Sequence, residues 1–324
     1  MTASDWDIPE EMNPKAEDYA FDIVRALAAV VSLHCYVPPD AFTAHTLGLE
    51  RGGSGVVIDE AGLIVTIGYL VTEAETIWIN TGDGRAIAGH ALAVDQETGF
   101  GLVQALGDLR LPALVLGDSD ALEVGDDCIL AAGGGRRNAV ATRLAARHEF
   151  AGYWEYALED AFFTVPAHPF WGGAGLIGPD GRLHGIGSLV LQQGGRRKSR
   201  VDMNMVVPIA LLKGILPDLL SQGRANRPSR PWLGLYAAED GDSVVVAGVA
   251  DHGPAEQAGL EIGDRIVAIG DTEIPNLMGL WRGIWSCGQA GAEVPLRLLR
   301  QDELIDVTVK SADRISLLRT PAMH

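Results

Sequence analysis

The chain has 324 residues, 47% of them hydrophobic and 21% charged, with 40 glycines scattered between short apolar runs. That length supports two or three domains with proper cores, and the composition is that of a soluble, turn-rich globular protein. The formal net charge of −18 opposes nucleic acid and anionic membrane surfaces, which both call for clustered Lys and Arg.

The basic run "GGRRKSR" at 194–200 reads as a solvated loop. Cys35, Cys128 and Cys287 are odd in number and lack CxxC pairing, so neither a disulfide framework nor a zinc site is encoded. The longest apolar stretch, "ALAAVVSL" at 26–33, falls far short of the roughly 20 residues of a membrane span. The N-terminus is acidic where a signal peptide would be basic. As written, the chain is expected in the cytoplasm, and in the periplasm if an upstream signal precedes it.

Residues 1–16 read as a polar, acidic tail. From Glu17, the spacing of Tyr19, Ile23, Val24, Leu27 and Val31 predicts a helix feeding a first strand. Short apolar runs then recur about every ten residues, broken by Gly and Asp, from "SGVVID" to "MNMVVP". Evenly spaced strands with turns such as Pro179-Asp180-Gly181 predict antiparallel sheet closed into barrels or sandwiches, and the length suits two small barrels. "PIALLKGILPDLLSQG", from Pro208, switches to helical period, with Leu211, Leu212, Ile215, Leu219 and Leu220 on one side and Gly223 as a stop. The domains expected are therefore a barrel domain at 17–223 and, after a Pro-containing linker at 224–230, a strand-rich module at 231–312. A tail follows at 313–324.

The order of four stretches resembles the HtrA family, trypsin-like serine proteases carrying a C-terminal PDZ domain. The fold class implied is mainly β, a trypsin-like double β-barrel followed by an α+β PDZ domain. "GSGVVIDEAGLIVTIGYLV" is similar to the strand pair ending in the family's general base, and Tyr69 stands where the histidine belongs. "VDQETGFGLVQAL" is similar to the segment bearing the orienting aspartate, and Gly99 takes its place. "FFTVPAHPFWGGAGLIGPDGRLHGIGS" resembles the nucleophile loop; aligned on Gly172-Gly173, it places Trp171 at the serine and Ala174 at the proline. The turn that shapes the oxyanion site is also altered, with Gly133 to Gly135 and Arg136-Arg137 in it.

A serine hydroxyl is a poor nucleophile unless an imidazole takes its proton and a carboxylate holds that imidazole. Three replacements together imply a pseudoprotease with no catalytic residues, metal or cofactor. Trp171 either plugs the old cleft or lines a retained peptide groove. Two rival readings stay open. One is an active endopeptidase of the same type with a relocated nucleophile, for which Ser54, Ser188 and Cys128 are the candidates. The other is a metal-binding pseudoprotease using His148, His168 and His184.

The fourth stretch, "RPWLGLYA" with "VVVAGVADHGPAEQAGLEIGDRIVAIGDTEI", resembles a PDZ carboxylate loop, turn-helix and strand, departing at His252-Gly253. Such a domain leaves a strand edge open, and an extended C-terminal peptide adds itself there while backbone N–H groups hold its carboxylate. Trp232, Leu233, Gly234 and Leu235 match that loop. In the facing helix, Leu280 and Ile284 are expected in the core, with Trp281 and Arg282 as groove candidates. The resemblance implies C-terminal or unfolded peptide segments as partners, a bacterial protein quality-control setting, and a homotrimer, with Trp6, Tyr19 and Phe21 as candidate contacts.

Overall fold

The computed structural model describes residues 8–193 and 201–319. The basic run at 194–200 and Trp6 lie outside the described residues. The chain folds into two compact units. Among the described residues, the first holds those up to His148, those between Asp160 and Asn226, and Arg319; the second holds Glu149–Glu159 and Arg227–Leu318.

The first unit contains two closed six-stranded barrels. The first barrel is built from β1 (Val30–Tyr36), β2 (Glu50–Val57), β3 (Leu63–Ile67), β4 (Thr76–Asn80), β5 (Ala86–Val94) and β6 (Phe100–Ala105). Its strands pair antiparallel in the order β1-β2-β3-β6-β5-β4. Leu33, Val56, Ile64, Phe100 and Leu102 are fully buried in it, each such side chain contributing roughly 1.5–3 kcal/mol. The second barrel comprises β7 (Asp127–Ala131), β8 (Ala139–Ala151), β9 (Ala157–Val165), β10 (Gly175–Ile177), β11 (Leu183–Gln193) and β12 (Val201–Pro208). It closes in the order β10-β11-β12-β9-β8-β7 around Leu130, Leu144, Phe162, Leu176 and Val206.

The helices of this unit are short. They are α1 (Ile23–Ala28), α2 (Ala44–Leu47), α3 (Gly68–Val71), α4 (Ala210–Lys213) and α5 (Leu216–Gln222). Asp22 caps α1 by accepting from the Arg25 N–H. Three expectations change here. The stretch after Pro208 is two helices, because Pro217 starts a new one and cannot continue the old; Leu211 and Leu220 are consequently exposed. "GYLV", read from the sequence as strand, is the single turn α3. Residues 8–16 are tied down: Asn13 donates its amide to the Ala139 carbonyl (3.0 Å), and Arg136 donates to the Pro14 carbonyl (2.8 Å).

The second unit is one sheet, β13 (Leu235–Asp240), β14 (Ser243–Val249), β15 (Arg265–Ile269), β17 (Glu293–Arg300) and β18 (Glu303–Lys310), with β16 (Thr272–Glu273) paired to β15. The helices α6 (Pro254–Gln257) and α7 (Leu277–Ser286) complete it. Asn276 caps α7 through the Gly279 N–H. Leu280, Trp281 and Ile284 are fully buried from one face of α7, against Leu233, Leu235 and Val294. Two boundaries differ from those drawn on the sequence. The connection between β8 and β9, residues 149–159, packs with this unit, and Arg319 returns to the first. Arg319 gives its backbone N–H to Glu73 (2.8 Å) and pairs with Asp40. Among the described residues, no helix is long and apolar enough to cross a membrane.

Candidate functional site

The three positions read from the sequence as a lost triad come together in the first unit. Tyr69 lies on α3, whose C-terminal carbonyls are gripped by a buried arginine. Arg51 donates to the Tyr69 and Thr72 carbonyls, both at 2.8 Å. Gly99 closes the turn from Asp95 with φ +83°, and its carbonyl accepts the Gly68 N–H at 2.6 Å, directly beside Tyr69. Asp95, four residues before Gly99, faces its own turn, accepting from the Thr98 N–H (2.8 Å) and hydroxyl (2.7 Å).

Tyr69 and Trp171 are joined. The Trp171 indole hydrogen-bonds the Tyr69 phenol, which donates in turn to the Ser188 carbonyl at 2.9 Å. Burial raises the pKa of the phenol above the ordinary tyrosine value, which the Trp171 hydrogen bond only partly offsets. It stays protonated and cannot accept a proton from a substrate or nucleophile near neutral pH.

The loop carrying Trp171 keeps its shape. Gly172 accepts from the Ser54 N–H (2.8 Å), Gly173 donates to Gly187 (2.9 Å), and Ala174 donates back to the Trp171 carbonyl (3.0 Å). Gly173 sits at φ +76°, and a Cβ there would lie 1.9 Å from the Ser54 carbonyl oxygen, so only glycine fits. What the loop lacks is one donor. In a serine protease the oxyanion is held by the N–H of the nucleophile and of the residue two before it. Two residues before Trp171 is Pro169, which has no N–H. The Phe170 N–H is already donated to His168 Nδ1 at 2.9 Å.

The rival nucleophiles have structural partners. Ser54 is buried, and its Oγ accepts the Gly133 N–H at 3.0 Å while its carbonyl accepts from Thr66. Ser188 is buried in β11, where its carbonyl receives Tyr69. Burial pushes the Cys128 thiol up to about 12, with the carboxylates of Asp126, Asp127 and Asp180 adding to it, far from a reactive thiolate.

The histidines likewise find separate partners. His168 is fully buried. Its Nδ1 accepts from Phe170, which assigns the proton to Nε2, so Nε2 donates to the Asn138 carbonyl (2.9 Å); burial lowers its pKa. His148 stacks on Phe163 with ring centroids 4.1 Å apart, and His184 contacts Asp180 at 2.8 Å. Among the described residues, no group of three His, Cys, Asp or Glu could hold a metal ion.

In the second unit, Gly234 adopts φ +74° with the Trp232 ring packed over it; a Cβ there would come 2.9 Å from the indole. Trp232 itself pairs backbone to backbone with Ala312. The N–H groups of Leu233 and Leu235 converge on one carboxylate, that of Glu155: Leu233 at 3.0 Å from each oxygen and Leu235 at 2.9 Å from one. The Gly234 N–H joins them. Burial nonetheless raises the Glu155 pKa to about 7, against the lowering effect of these N–H groups and of Arg314.

Trp281 is buried and gives its indole N–H to the Gly152 carbonyl (2.9 Å), while Arg282 pairs with Glu149 (2.9 Å) and with Glu159. Glu155 was not found by sequence reasoning. It lies 78 residues from Leu233 in an aromatic-rich strand connection, and no spacing rule links them.

With this geometry in hand, comparison with known proteins defines the class. Residues 53–186 match the family of trypsin-like peptidase domains, and residues 231–311 match the PDZ domain family. The chain is a trypsin-like fold followed by a PDZ domain, the organisation of the HtrA proteases.

A DegP-like periplasmic serine endoprotease of Halomonas elongata is 26% identical over 291 residues, which cover 86% of this chain and 59% of the relative. The periplasmic serine endoprotease DegP of Salmonella typhimurium is 25% identical over 273 residues, covering 80% and 56%. The chain spans little more than half the length of these curated relatives. Among solved structures, the HtrA-type protease AlgW with a decapeptide superposes with a TM-score of 0.53 at 22% identity, covering 93% of this chain and 98% of that one. A serine endoprotease from Yersinia pestis gives 0.52 at 22% identity, covering 93% and 98%.

Proposed function

We propose that this chain is a catalytically silent HtrA-like protein that recognises extended peptide segments through its PDZ domain. The observation that carries the first half is the Tyr69–Trp171 pair. A neutral phenol bonded to the Ser188 carbonyl, with the Trp171 indole beside it, stands where proton transfer and nucleophilic attack would occur. Pro169 supports it independently, since the loop also lacks a donor for the oxyanion. Trp171 acts as a plug, being held by its indole N–H against Tyr69.

The second half rests on the loop Leu233-Gly234-Leu235, whose converging N–H groups already hold a carboxylate. AlgW, whose structure is named with a decapeptide, supports peptide recognition by the shared architecture. The partners proposed are free C-termini or unfolded segments of other proteins.

The relatives named as periplasmic support a periplasmic setting over the cytoplasmic one expected from the sequence. A trimer is implied by the family resemblance. In the present chain Phe21 packs on its own Gly181 turn, with Tyr19 beside it at 5.5 Å between ring centroids, so these two aromatics are committed at least in part to the barrel unit.

The relatives' names as endoproteases keep an active enzyme as the reading to beat. Treatment of the purified full chain with a fluorophosphonate probe, beside casein digestion, separates the two. No covalent label and no cleavage are expected. Labelling abolished by Ser54→Ala or Ser188→Ala would overturn the silent reading.

A further inference from the structure

Strand β13 is an edge of its sheet, with its outer N–H and C=O groups open to pairing. The structure shows what takes that edge. Tyr153 accepts the Ala237 N–H at 2.7 Å, and Trp154 forms an antiparallel bridge with Tyr236. One residue further, Glu155 delivers its carboxylate to the N–H groups of Leu233, Gly234 and Leu235.

An extended segment running antiparallel to β13, with a carboxylate at the loop end, is the arrangement by which a C-terminal peptide augments such a sheet. Here the backbone continues past Glu155 into β9, so a side chain supplies the carboxylate that a terminus would have supplied. The segment is also held from α7. Trp281 reaches the Gly152 carbonyl, and Arg282 pairs with Glu149 and Glu159 on either flank.

We infer that segment 153–155 is an internal ligand that closes the chain's own peptide groove, so that an incoming free C-terminus must displace Glu155 to bind. This inference rests on the peptide-recognition reading above and adds a competitor to it. The anchorage suits displacement. The Arg282 pairs are exposed, where ion pairs contribute little, and Tyr153 has 57% of its surface in solvent. Beside Glu155, the bridge at Trp154 and the Ala237–Tyr153 hydrogen bond join the segment to β13, whereas a free peptide could pair along more of the strand. The internal segment holds its place through proximity, because a tethered ligand acts at high effective concentration.

A groove that is open only a fraction of the time binds external ligand more weakly by that fraction. The probe is a pool of fluorescein-labelled decapeptides with apolar last residues, prepared as free acids and as C-terminal amides, titrated against the full chain by anisotropy. Glu155→Ala is expected to tighten binding of the free-acid pool by about tenfold or more, with Glu155→Gln intermediate and the amide pool unchanged. Hydrogen exchange adds a readout that needs no peptide. The Leu233, Leu235 and Ala237 amides should be protected in the wild-type protein and lose protection in Glu155→Ala; if that variant does not fold, Glu155→Gln takes its place in both measurements.

Equal free-acid affinity in wild type and variants would overturn the internal ligand while leaving peptide recognition standing. Absence of binding in every folded variant would end both. Rapid exchange of Leu235 and Ala237 in the wild type would also overturn it.

Discussion

Two hollows in this molecule are filled by the chain's own atoms, and they are filled in different ways. In the barrel unit, Tyr69 and Trp171 lie beside each other at positions aligned with the family's general base and nucleophile, which the proposed reading takes as a filled cleft. In the PDZ unit, the filler is a strand connection laid along an open sheet edge, with one carboxylate in the anion loop. The first filling is built of side chains on the short helix and the loop themselves. The second is a strand connection held by one backbone hydrogen bond, the Glu155 carboxylate, the Trp281 indole, surface ion pairs and the packing of Ala151 and Ala157 on the core. On the readings proposed above, closure by side chains built into the site would remove a function, whereas closure by a segment would leave the site in place behind a competitor.

The largest expected effect tests how rigid the first filling is. Gly173→Ala would drive a Cβ into the Ser54 carbonyl from a left-handed backbone, and destabilisation of roughly 3 kcal/mol or more is expected, read as lost soluble yield or a collapsed Tm. Next comes the attempt to reverse it. Tyr69→His, Gly99→Asp and Trp171→Ser together should give no hydrolysis above wild type, because Pro169 withholds one oxyanion donor. Adding Pro169→Gly should raise the rate of an activated ester at least about 100-fold over that triple variant. A triple variant already fully active would show that the donor pair is not limiting.

The second filling is tested by pH. The Glu155 carboxyl has a folded pKa of about 7, above its ordinary 4.5, so it contributes stability below pH 4.5 that is lost as pH rises through about 7. The stability advantage of wild type over Glu155→Gln should therefore fall between pH 5 and 8, by on the order of 2 kcal/mol in denaturant titrations. A flat difference would mean that the carboxyl is not held in its buried seat. Smallest is Tyr69→Phe. It removes the hydrogen bonds to Ser188 and Trp171, and a loss of about 1 kcal/mol is expected with peptide binding unchanged.

Much of the fold was legible in the sequence, because alternating apolar runs with Gly and Asp turns encode strands locally. The PDZ stretch was readable for the same reason: Gly234 and Gly263 both take positive φ, where glycine is favoured. Leu280 and Ile284 fell in the core as their helical spacing required. The break between α4 and α5 was also written in the chain, in Pro217, yet a run of leucines at helical spacing masked it.

The N-terminal segment shows the opposite case. Its polar composition suggested a tail, but Asn13 and Pro14 are fixed by hydrogen bonds to residues more than a hundred positions away. Trp281 is of that kind too. As a groove candidate it was placed by its helix, and its buried indole instead anchors the Gly152 carbonyl from the neighbouring strand connection.

By itself the sequence determined which residue types stand at the positions aligned with the family's triad, and that Pro169 lacks an N–H. Those are properties of a single side chain or a single peptide unit, and no folding alters them. Only the tertiary structure decided that Trp171 hydrogen-bonds Tyr69 and that Glu155 sits in the carboxylate loop. Both depend on segments distant in sequence meeting at hydrogen-bond distance, and the directionality of those bonds leaves no local periodicity for a reader of the chain to find.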